Sequence, residues 1–84
     1  MRVKENRLGV VGIVIENRET VSLVNQILSH HASIIIGRLG LPYREREVAV
    51  IALIVDGSTD DIGSLTGQLG KINGVQVKSA LTSR

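Results

Sequence analysis

The sequence predicts an α+β fold, a single small domain over residues 1–84 with the element order β-α-β-β-α-β. Two aliphatic runs, residues 8–16 and 46–56, are apolar at both odd and even positions, as strands covered on both sides are. Two other segments, residues 20–31 and 60–72, repeat apolar residues at helical spacing. Glycine, asparagine and proline fall between these segments, where turns are needed.

Each element has its own warrant. Residues 8–16, LGVVGIVIE, place Val11, Ile13 and Ile15 on one side of a strand and Val10 and Val14 on the other. Asn17 then serves as a helix cap, with Glu19 in the favourable first turn. In residues 20–31, Leu23, Val24, Ile27 and Leu28 form one amphipathic stripe, and His30 and His31 occupy the last turn. Residues 33–41 read as a second strand stopped by Pro42. Residues 46–56, REVAVIALIVD, form the third strand, with Val48, Val50, Ala52 and Ile54 alternating against Ala49, Ile51, Leu53 and Val55. Ser58 or Thr59 caps the second helix, where Asp60 and Asp61 suit the positive end of the dipole. Ile62, Leu65, Leu69 and Ile72 give that helix its apolar face, while Gly63, Gly67 and Gly70 lie on another. That glycine stripe is either loose packing or the approach of another backbone. Asn73 or Gly74 ends the helix, and residues 75–81 form the last strand.

Right-handed crossovers fold this order into a ferredoxin-like sandwich, a four-stranded antiparallel sheet with two helices on one face. The first and third strands are then central, and they are the two that are apolar on both sides. A chain of 84 residues buries only about 60–65% of its unfolded surface and needs extra stabilisation. It has no cysteine, which excludes disulfides and thiol chemistry, and two adjacent histidines do not make a metal cage. Association of identical copies, as a dimer or tetramer, is the remaining source of burial. Val10, Val14, Ile51, Leu53 and Val55, or their alternates, are the expected oligomer interface on the sheet face that the helices leave bare.

A net charge of +2 with mixed signs, and Tyr43 as the lone aromatic, argue against nucleic-acid binding. No apolar run is long enough to span a membrane, and the N-terminal MRVKENR lacks the apolar stretch of a signal peptide, so a cytoplasmic location is expected. No phosphate-binding loop or dinucleotide fingerprint is present, and no cofactor is expected. His30 or His31 with Glu16, Asp60 or Asp61 would be the candidates for catalysis, but they form no nucleophile–base–orienter set, and no enzyme is expected.

The segment IIIGRLGLPYRERE, residues 34–47, has two readings. It is a hairpin with a solvated charged tip, or Arg38, Arg44 and Arg46 with Tyr43 form an anion-binding pocket beside glycine-exposed amides. Together with VAVIALIVDGSTDDIGSLTGQLGKINGVQVKSA, residues 48–80, it resembles the small regulators associated with iron-only hydrogenase systems. That family is similar in fold to ACT domains and to the C-terminal domain of nickel-responsive repressors. The resemblance implies a ferredoxin-like fold, assembly through sheets, and a regulatory role exercised through a small-molecule effector or a protein partner. The alternative is a structural subunit without a ligand. Seven residues before the first strand leave no room for a ribbon-helix-helix, so direct DNA binding is not expected. The turn after the first strand, Glu16-Asn17-Arg18-Glu19, lacks the glycine against which ACT domains often hold effectors.

Overall fold

A computed structural model describes residues 6–82; the charged segment Met1–Glu5 lies outside them. The elements are β1 (Arg7–Ile15), α1 (Val21–His30), β2 (Ile35–Tyr43), β3 (Val48–Gly57), α2 (Thr59–Gly70) and β4 (Val75–Leu81). The strands form one sheet in the order β2-β3-β1-β4, with every neighbouring pair antiparallel. The doubly apolar strands β1 and β3 are central, as their sequences require.

The core is the layer between sheet and helices. Val11, Ile13 and Ile15 of β1 and Ile51, Leu53 and Val55 of β3 pack with Val24, Ile27 and Leu28 of α1 and Ile62, Leu65 and Leu69 of α2. Directly paired residues in an antiparallel sheet share a face. The pairs Val10–Ile54, Gly12–Ala52 and Val14–Val50 therefore mark the opposite, uncovered face. This corrects one half of the expected interface. Val10 and Val14 do lie on the open face, but Ile51, Leu53 and Val55 are buried beneath the helices. Their alternates Val50, Ala52 and Ile54 take the open positions, because β3 pairs with β1 in a register that aligns even residues with even.

Most boundaries move by one or two residues, α2 for instance ending at Gly70 rather than Ile72, and the differences around β2 have physical causes. Pro42 does not stop β2, which continues to Tyr43. An edge strand uses only one of its two hydrogen-bonding sides, so it accommodates a residue without an N–H. The start of β2 is displaced by a short 3-10 turn at Ala32–Ile34, and the register with β3 shifts between Ile35 and Gly37, with Ile36 left over as a bulge. Arg46 and Glu47 fall in the β2–β3 connection and not in β3.

The caps are local. Ser58 is buried, and its hydroxyl accepts the Asp61 N–H at 3.0 Å, closing the N-terminus of α2. Asn17 caps a single 3-10 turn, Arg18–Thr20, that leads into α1; its side-chain oxygen accepts the Glu19 N–H at 3.0 Å. Gly74 has φ +82° in the α2–β4 turn, and a Cβ there would lie 2.9 Å from that of Asn17. Its carbonyl accepts the Glu16 N–H at 2.7 Å, so this turn and the end of β1 hold one another. Among the described residues, a Cβ on Gly63, Gly67 or Gly70 would meet nothing within 4 Å, so the stripe is not needed for a close backbone contact there.

Candidate functional site

Two surfaces stand out. The first is the open face of the sheet. Leu8, Val10, Leu39, Leu41, Tyr43 and Ile54 lie on it, all at least 40% exposed and Leu39 as much as 71%. Charged and polar residues of this face, Glu16, Asp56, Gln76 and Lys78, belong mostly to its margins. Exposed apolar patches of this kind are commonly found at contact sites.

The second lies at the end of the sheet, between the turn after β1 and the β2–β3 connection. The first turn is fixed by three bonds to Asn17: the Glu19 N–H to its side chain, and the Thr20 N–H and hydroxyl to its carbonyl at 3.0 and 2.7 Å. Arg18, on this turn, is exposed. The second is a 3-10 turn, Arg44–Arg46, followed by Glu47 in the left-handed region at φ 56°, ψ 39°. A non-glycine residue there costs about 1–2 kcal/mol, and the Glu47 N–H donates to the Arg44 carbonyl at 3.1 Å to hold it. A cavity of about 400 Å³ separates the two turns. Val21, Pro42, Val48 and Ala49 give it apolar walls, and Arg18, Arg44 and Glu47 are its charged groups.

The four residues expected to form an anion pocket do not converge. Arg38 stands opposite Leu53 on the helix side of β2 and donates to Asn25 Oδ1 of α1 at 3.0 Å. Tyr43 stands opposite Val48 on the open side. Arg44 reaches the cavity; Arg46, two positions along a 3-10 turn, does not line it. Sequence reasoning missed Arg18 and Glu47. The pairing of Ile15 with Ala49 brings the turn after β1 beside the start of β3, a signal available only once register is known.

The histidines have separate roles. The His31 ring lies 2.8 Å from the Ile27 carbonyl through Nδ1 and 3.2 Å from Ser64 Oγ through Nε2, so it bridges α1 and α2. Because a carbonyl only accepts, Nδ1 carries a proton. His30 points to the outer side of α1, beside a shallow depression shared with Ser22, Asn25, Gln26 and Ser29. Glu16 accepts from Gln76 Nε2 at 3.3 Å. Among the described residues, no group of three or more His, Cys, Asp or Glu could hold a metal ion.

The architecture is that of the ferredoxin-like and ACT-like domains. The ACT domain of GTP pyrophosphokinase from Chlorobium tepidum superposes with a TM-score of 0.58 at 21% identity, covering 94% of this chain and 89% of that one. A family model described as "TM1266-like: Iron-only hydrogenase system regulator, putative" matches residues 7–79, and the chain belongs to that family. The uncharacterized protein TM1266 from Thermotoga maritima is 35% identical over 94% of this chain and 100% of its own, with a TM-score of 0.89. A structure described as a putative glycine cleavage system transcriptional repressor has a TM-score of 0.70 at 16% identity, covering 94% of this chain and 47% of that one. A search of curated proteins finds no match. No helix among the described residues is long and apolar enough to cross a membrane.

Proposed function

We propose that this chain is a non-enzymatic, cytoplasmic regulatory module of an iron-only hydrogenase system, which assembles into a homo-oligomer through its open sheet face and answers a small ligand. Membership of the regulator family supports the regulatory role. The observation that carries the assembly is the uncovered aliphatic face centred on Val10 and Ile54.

Its size suits a second copy. Four strands of up to ten residues make a face of about 30 Å by 19 Å, on the order of 600 Å² per copy. Two such faces stacked at about 10 Å bury on the order of 1,200 Å², within the range of specific interfaces. Leaving that surface wet costs about 25 cal/mol for each Å² of its apolar part.

Removing the gene from its own cells and measuring iron-only hydrogenase level and activity tests the regulatory role. The expected result is a changed level that the wild-type chain restores and an Ile54→Lys chain does not. An unchanged level would refute the proposal. Native mass spectrometry of chain isolated from the same cells reads the assembly and any bound molecule directly.

A further inference from the structure

We infer that the cavity between the β1–α1 turn and the β2–β3 connection receives a small monocarboxylate with an apolar tail. This rests on reading the chain as a ligand-answering regulator, and it names the ligand class.

The volume, about 400 Å³, falls within the usual range of ligand pockets. Val21, Pro42, Val48 and Ala49 offer hydrocarbon rather than hydrogen bonds over most of the lining, which suits an alkyl group and not a sugar or a base. Arg18 and Arg44 come from two different turns and both line the cavity, so two independent cations are available to a group inside it. Among the described residues, Arg7 and Arg38 place their guanidinium groups on protein acceptors, whereas Arg18, Arg44 and Arg46 donate to none, and of these three Arg18 and Arg44 line the cavity. A carboxylate accepts from a guanidinium through two parallel bonds.

Charge sets the valence. Two guanidinium groups and the Glu47 carboxylate leave one net positive charge, the complement of a monoanion. A dianion would place its second charge near Glu47, and inorganic phosphate has no tail for the apolar walls. The turns are preorganised: the bonds to Asn17 fix the backbone at Arg18, and the Glu47-to-Arg44 bond fixes the other side.

The test is amide NMR titration of the purified chain with acetate, isobutyrate, isovalerate and octanoate. Isovaleramide serves as the neutral isostere and inorganic phosphate as the tailless anion. At least one monocarboxylate is expected to saturate below about 10 mM, shifting the amides of Arg18, Arg44, Glu47 and Ala49. Isovaleramide and phosphate are expected to bind about tenfold more weakly or worse. Arg18→Gln and Arg44→Gln each lower the affinity about tenfold, and Glu47→Gln raises it, all with the oligomer mass unchanged. The inference is overturned if no monocarboxylate saturates, if the amide binds as well as the acid, or if the shifts centre on Val10 and Ile54. If no acid binds while the chain still assembles and still governs hydrogenase level, this inference fails alone. If an acid binds to a chain without effect on hydrogenase, the regulatory reading fails instead.

Discussion

The two faces of the sheet's central strands both carry aliphatic side chains and have opposite environments. On the covered face, Val11, Ile13, Leu53 and Val55 are fully buried. One residue along each strand, Val10 is 51% and Ile54 50% exposed. The open face is the more mixed, with Gly12, Ala52, Asp56 and Lys78 among its residues, but its aliphatic side chains match those of the covered face in kind; the difference in their burial is which set the two helices reach. A covered face supports the monomer, and an uncovered aliphatic one supports a contact beyond it. The cavity at the sheet's end is a third environment, where both chemistries meet.

The largest expected effect is on the covered face. Leu53→Ala should destabilise the chain by about 3 kcal/mol, through lost transfer energy and the void left behind, as read by urea denaturation. Ile54→Ala, one position away, should change the stability of the dissociated chain by about 0.5 kcal/mol or less. Equal losses at the two positions would break the comparison. Next in size, Ile54→Lys should weaken self-association about a hundredfold by placing a desolvated charge in the interface, read by sedimentation at several concentrations, with the circular dichroism of the fold retained. Smaller still, Ser58→Ala should cost about 1 kcal/mol by leaving the Asp61 N–H uncapped on the covered side. The smallest is Glu47→Gly, which relieves a left-handed glutamate at the cost of a freer unfolded chain and should stabilise by about 1 kcal/mol or less. A destabilising Glu47→Gly would mean that the Glu47 side chain contributes contacts to the fold.

Much of this was legible in the residues. The doubly apolar runs around Val11 and Leu53 identify the central strands, the stripe of Ile62, Leu65 and Leu69 identifies α2, and Ser58 or Thr59 announces its cap, which the structure assigns to Ser58. What the alternation left open is which set faces the helices. A strand apolar on both sides reads the same when turned over, and Ile51, Leu53 and Val55 were accordingly assigned to the wrong side. Pro42 reads as a stop only if β2 is internal; strand order is a tertiary property. The site was legible only as Arg44. Arg38 and Tyr43 are five residues apart, an odd separation that puts them on opposite faces of an extended strand. Arg18 and Glu47 are 29 positions apart in sequence and meet only through the β1–β3 register.

The central claim is that the bare aliphatic sheet face is closed by another copy. Sedimentation equilibrium of the wild-type chain beside Ile54→Lys tests it most directly. The account predicts a wild-type mass of at least twice 9.0 kDa and a folded variant at 9.0 kDa. A wild-type chain that stays folded at 9.0 kDa over the whole concentration range would contradict it.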